Sequence, residues 1–129
     1  MKEPTDKRSG GRKVSCIRKE YDRERLLFAR DYLIRHVENP PSLSELSRLA
    51  GINEFKLKNG FKELFGQPVF AWLADFRLDT ARKELMKQSR PITEIAFELG
   101  FSSPQHFSTA FKKKYGVSPR QMHRNFPGY

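Results

Sequence analysis

The chain has 129 residues, enough for one domain with its own core and too short for two independent ones. Lys and Arg number 25 against 15 Asp and Glu, a formal charge of +10 that calls for an anionic partner. Every apolar stretch is broken by charge within a few residues, which excludes a membrane span or a clean amphipathic anchor and leaves nucleic acid as the expected partner.

Residues 1–21 mix Lys, Arg, Ser and Gly, with Val14 and Ile17 as isolated aliphatics. That is too little apolar area to offset ordering the backbone, so a flexible basic tail is predicted, either holding phosphate non-specifically or without a role. The folded domain is expected over 22–129. Leu26, Leu27, Ala29, Leu33, Ile34 and Val37 outline one face of a first helix that Asn39-Pro40-Pro41 stops. Ser42 or Ser44 caps a second helix, with Leu43, Leu46, Leu49 and Ala50 inward and Gly51 suited to a left-handed turn. Asn53 caps a third helix, with Leu57, Phe61 and Leu64 inward, closed by Gly66. Gly60 inside it costs roughly 1 kcal/mol relative to Ala. This first helix-turn-helix is placed at about 42–65.

Pro68 suits a helix start, and Phe70, Leu73, Ala74, Leu78, Ala81, Leu85 and Met86 keep helical spacing, giving a long linker helix over about 68–89. Ile92, Ile95, Ala96 and Leu99 repeat the short stripe, Gly100 repeats the turn, and Ser103-Pro104 repeats the cap. Phe107, Phe111 and Tyr115 repeat the inward face before Gly116, so a second helix-turn-helix is placed at about 91–115. A last short helix is expected over about 118–124.

The internal repeat is the main clue. Leu43 falls on Ile92 at an offset of 49 and Phe61 on Phe111 at an offset of 50, one residue being inserted in the second turn. Each copy is a short helix, a glycine-containing turn and a longer helix. The expected fold is therefore all-α, two helix-turn-helix subdomains joined by a long linker helix, with about seven helices. A straight linker of that length spans roughly 30 Å at about 1.5 Å per residue. One turn of DNA is roughly 34 Å, so such a rod could hold two recognition helices in successive major grooves without a dimer.

Other chemistries find no footing. Cys16 is the single cysteine, so neither an intrachain disulfide nor a thiolate zinc site is expected. His36, His106 and His123 are scattered and lack ligand-type partners, so no metal or cofactor is expected. No nucleophile stands beside a base and an acid, and no phosphate-cradling glycine loop occurs, so an enzyme is not expected. The N-terminus lacks a secretory apolar run, so the cytoplasm is the expected compartment.

Ile92-x-x-Ile95-Ala96-x-x-x-Gly100-Phe101-Ser102, then Phe107-Ser108-x-x-Phe111-Lys112-Lys113 and Gly116-x-Ser118-Pro119, resembles the signature of the AraC/XylS family of bacterial regulators. The likeness continues through Phe76-Arg77-Leu78-Asp79-x-Ala81 and the first repeat, and covers residues 25 to 124. NEFKLKNGFKELFG also resembles the branch that regulates siderophore uptake, such as the pyochelin regulator. The resemblance implies a double-stranded DNA partner, contact with RNA polymerase beside the promoter, and activation of transcription. Most members carry a separate effector-binding domain, for which this chain has no room, so no small-molecule effector site is expected in it. Met122 and His123 stand where the family has an aromatic followed by Arg, and Asn59 and Thr109 where Arg is frequent. Different base preferences are expected.

Base readers should be outward residues near the start of each recognition helix. They are Phe55, Lys58 and Asn59 in the first, and Gln105, His106, Ser108 and Thr109 in the second. Asn59 and Gln105 suit adenine, Lys58 guanine acceptors, and Phe55 and Thr109 a thymine methyl. Phe55 could equally pack on the first helix. Lys56, Lys62, Arg77, Lys112, Lys113 and Arg120 suit phosphate, because long cations bordering the readers position the backbone without reading sequence. The alternative function is a basic helical interaction module docking RNA polymerase or another acidic partner.

Overall fold

The computed structural model describes residues 20–87 and 90–125, and among them the chain is all helical. The order is α1 (Glu20–Arg35), α2 (Leu43–Ala50), α3 (Glu54–Phe65), α4 (Val69–Lys87), α5 (Ile92–Glu98), α6 (Pro104–Tyr115) and α7 (Pro119–Asn125). Of the tail expected over 1–21, residues 1–19, with Cys16, lie outside the described residues; Gln88, Ser89 and residues 126–129 also lie outside. No helix among the described residues is long and apolar enough to cross a membrane.

α1 begins at Glu20 rather than Asp22, so the last two residues assigned to the tail are helical. Two contacts extend it. The Tyr21 hydroxyl donates to the Gly51 carbonyl at 3.4 Å, and the Arg25 guanidinium lies over the Tyr21 and Phe28 rings at 5.7 and 5.4 Å. Glu20 and Asp22 in the first turn also suit the positive end of the helix dipole.

The helix starts follow from local chemistry. Ser42, not Ser44, caps α2: its Oγ accepts from the Glu45 amide at 3.1 Å while Glu45 Oε1 accepts from the Ser42 amide at 3.2 Å. A cap of this kind contributes about 1 kcal/mol. Asn53 Oδ1 accepts from the Lys56 amide at 2.8 Å and Ser103 Oγ from the His106 amide at 3.0 Å, so both recognition helices start on a capping side chain. Ser118 does the same for α7 through Gln121.

Two apolar clusters form the core. Leu26, Ala29 and Leu33 of α1, Leu46 and Ala50 of α2, and Leu57 and Phe61 of α3 bury against Val69 and Leu73 at the start of α4. Leu78, Ala81 and Leu85 further along α4 bury against Ile95 and Ala96 of α5, Leu99 and Phe101 of the turn, and Phe107 and Phe111 of α6. Full burial of each large side chain contributes roughly 1.5–3 kcal/mol. α4 is thus more than a rod between subdomains, because its two halves belong to different cores. Its second half serves α5 and α6 as α1 serves α2 and α3: Leu26, Ala29 and Leu33 have the same spacing as Leu78, Ala81 and Leu85.

Three large residues expected inward are exposed. On α2 the buried positions are Leu46, Ser47 and Ala50, which leaves Leu49 facing out. Ser47 is satisfied there by donating to the Ser44 carbonyl at 2.8 Å. On α4 the buried stripe runs through Val69, Leu73, Leu78, Ala81 and Leu85, which turns Phe70 and Met86 outward. Trp72 and Phe76 are half-buried and stack on each other, with ring centroids 5.4 Å apart.

Candidate nucleic-acid interface

Burial of Leu57 and Phe61 fixes which side of α3 faces out, and Phe55, Lys58, Asn59 and Lys62 are all exposed on it. Their spacing of three, four and seven residues makes one helical face. In α6, Phe107 and Phe111 fix the rotation in the same way, leaving Gln105, His106, Thr109, Lys112 and Lys113 exposed and Ser108 half-buried. Phe55 is 68% exposed, so most of its ring faces out rather than into the core. Arg120, at the start of α7, is exposed as well.

The groups expected to read bases differ in freedom. Asn59 Nδ2 donates to the Phe55 carbonyl at 2.9 Å, so bidentate contact with adenine requires that bond to be exchanged for one to the base. His106 Nδ1 lies 3.4 Å from Ser102 Oγ, and its ring meets Phe101 edge-on at 5.8 Å, which holds the imidazole over the turn.

The six cations assigned to phosphate divide. Among the described residues, Lys62, Lys112, Lys113 and Arg120 enter no ion pair, and neither does Lys58. Lys56 is engaged: its Nζ sits 3.2 and 3.4 Å from the two carboxylate oxygens of Asp22, which is buried at the start of α1. Arg77 lies on α4, half-buried, and donates from Nη2 to the Val37 carbonyl at 2.7 Å. Burial pulls its pKa below the ordinary arginine value. Its donor serves a backbone carbonyl, so the structure ties Arg77 to the protein interior.

Acids elsewhere neutralise cations that are not on the reading faces. Asp79 pairs with Arg82 and Lys83, Glu84 with Lys87 and Arg90, and Arg90 also with Glu94 and Glu98. Asp75 takes a 2.7 Å hydrogen bond from Gln67 Nε2 and pairs with Lys114 at 3.3 Å, and these hold its carboxyl below the usual range. The lysines left without acids on α3 and α6 therefore border the readers, as phosphate contacts would require.

Sequence reasoning missed the contacts of Tyr21 and Asp22, and placed Val37 on the first helix without its contact to a second core. The first two press on the turn and the start of α3, and Val37 packs against both cores. The signal available was Leu-x-x-Ala-x-x-x-Leu, present in both α1 and α4, which extends the repeat one helix upstream.

A family model described as a helix-turn-helix domain matches residues 46–125. The chain is 36% identical over 88 residues to the HTH-type transcriptional regulator GlxA of Rhizobium meliloti, covering 68% of this chain and 27% of that protein. Among solved structures, a transcriptional regulator of Chromobacterium violaceum with an AraC-type DNA-binding domain superposes with a TM-score of 0.72 and 25% identity, over 83% of this chain and 96% of that one. The DNA-binding domain of AdpA, solved with a target DNA, superposes with a TM-score of 0.71 at 22% identity, over 78% of this chain and 91% of that one, and shares the fold. The chain spans 26–41% of the length of the first curated relatives it matches.

Proposed function

Since the chain belongs to the AraC/XylS family of helix-turn-helix DNA-binding transcription regulators, we propose that it reads one long, non-palindromic site by placing α3 and α6 in successive major grooves. The observation that carries this is the paired exposed faces: each recognition helix buries two apolar residues and presents short polar readers bordered by lysines free of acids. α4 rises about 28 Å over its 19 residues, close to one duplex turn of roughly 34 Å. Phe55, Lys58 and Asn59 read one half-site, and Gln105, His106, Ser108 and Thr109 the other. Lys62, Lys112, Lys113 and Arg120 take phosphate, and Lys56 does so only by leaving Asp22. Bound beside a promoter, the protein contacts RNA polymerase and activates transcription, a reading supported by family membership alone. The cytoplasm is its place of action.

Footprinting on sites selected from a random pool, against random-sequence competitor, tests the central reading. Asn59→Ala and Gln105→Ala should each weaken binding by about 1–3 kcal/mol and relax preference in their own half-site only. An unchanged footprint with intact binding of an acidic protein partner would favour the interaction module instead. Equal affinity for selected and random DNA would reject sequence reading outright.

A further inference from the structure

The rise of α4 sets how far apart the reading helices stand, but not their rotation about the duplex. Rotation depends on how the first core, gripping Val69 and Leu73, is held against the second, gripping α4 from Leu78 onward. Only 74–77 of α4 lie between those grips, and there the chain makes two ties. Asp75 is bound to Lys114 at the end of α6, and Arg77 to the Val37 carbonyl in the turn that follows α1. Positions two apart on a helix differ by about 200°, so the ties leave α4 on roughly opposite sides.

The second tie closes on Gly100, in the turn of the second unit. Its φ is +91°, and a Cβ built there would stand 2.7 Å from the Val37 carbonyl oxygen, 3.0 Å from that of Glu38 and 2.7 Å from Arg77 Nη2. Two of those three neighbours are backbone atoms and cannot swing aside. The turn of the second unit therefore lies directly on the turn that follows α1, with the Arg77 guanidinium beside it. The Val37 side chain packs on both cores at the same point.

We propose that Arg77 and Gly100 are positioning residues that lock the rotational phase between the two reading helices, so that the protein discriminates the spacing of its half-sites as well as their bases. This rests on the two-helix reading above. Each added base pair shifts a half-site by about 3.4 Å and turns it by roughly 35°. Following it would require the first unit to roll over the second, breaking the Arg77 hydrogen bond and driving the Gly100 backbone into the Val37 and Glu38 carbonyls.

The test uses the full chain and the DNA site selected from a random pool, with the gap between half-sites changed by one and two base pairs either way. Fluorescence anisotropy reads affinity for each spacing and for an isolated half-site. Wild type should lose about tenfold or more on a one-base-pair change, the scale of a misplaced base contact. Arg77→Met keeps an apolar stem and removes the donor, and it should reduce that spacing penalty to about threefold or less while half-site affinity stays unchanged. Arg77→Lys should recover part of the discrimination, and Gly100→Ala should blur it as Arg77→Met does. Should Gly100→Ala fail to fold, the two Arg77 variants decide alone. An Arg77→Met protein weakened equally at every spacing would overturn the proposal and leave Arg77 a stabilising contact. A wild type that prefers a sequence yet ignores spacing would overturn it too, with base reading intact. Absence of any sequence preference would remove both readings.

Discussion

In the first unit, Leu26, Ala29, Leu33 and Phe61 hold α3 against α1; in the second, Leu78, Ala81, Leu85 and Phe111 hold α6 against α4 in the corresponding places. The starts of the two recognition helices are nevertheless secured differently. Lys56 in α3 reaches a buried carboxylate, whereas His106, which the repeat aligns with it, rests on Ser102 and Phe101 beside it in the chain. The second unit is closed by the short α7, with Pro119 fully buried, where the first unit is closed by the start of the long α4, with Val69 buried. One apolar framework thus supports two different polar fittings at the starts of α3 and α6.

The comparison is hardest hit by the shared phenylalanines. Phe61→Ala and Phe111→Ala should each cost about 3–5 kcal/mol, since both rings are fully buried. Because α4 and Val37 belong to both cores, either change should lower a single cooperative transition. Urea melts followed by circular dichroism and by Trp72, the only tryptophan and a neighbour of the first core, should coincide. Two separated transitions would show the units to be independent.

The polar difference gives the middle-sized effect. Lys56→Met strands the Asp22 carboxylate and should cost about 2 kcal/mol, below the ~3–5 for a fully buried pair because Lys56 keeps solvent access. His106→Met should cost under about 0.5 kcal/mol, as expected for an exposed position. Equal losses in denaturant melts would erase the distinction between the two helix starts.

The smallest effect concerns Asp75, which ties α4 to α6. Its pKa is lowered in the folded state, chiefly by the Gln67 hydrogen bond and then by Lys114. The contribution is therefore present above the ordinary carboxylate pKa and is lost as pH falls through the lowered folded value. Asp75 is largely exposed, so solvent screening keeps it small. Asp75→Asn should slightly flatten the acid limb of stability against pH; a steeper limb would contradict the assignment.

Much of this was legible in the chain. The doubled stripe, the glycine turns, and the caps at Ser42, Asn53 and Ser103 act within a few residues, so spacing places the helices to within about two residues. The outward faces of α3 and α6 followed from the same stripe, because Leu57 and Phe61, or Phe107 and Phe111, leave only one face free. Leu49, Phe70 and Met86 were misplaced because periodicity reports that a face is apolar, not where the neighbouring helix stops covering it. That Lys56 and Arg77 hold partners within the protein was not legible, because those partners, 34 and 40 residues away, leave no local mark.

Local propensities, caps and apolar period thus determined that there would be two helix-turn-helix units and which sides of α3 and α6 face outward, since each depends on residues within a turn or two of one another. Tertiary packing alone decided that α4 would be divided between two cores, that Asp22 would claim Lys56, and that Val37, Arg77 and Gly100 would meet at one point. Those outcomes depend on distances between segments far apart in the chain, which are fixed only once the cores close.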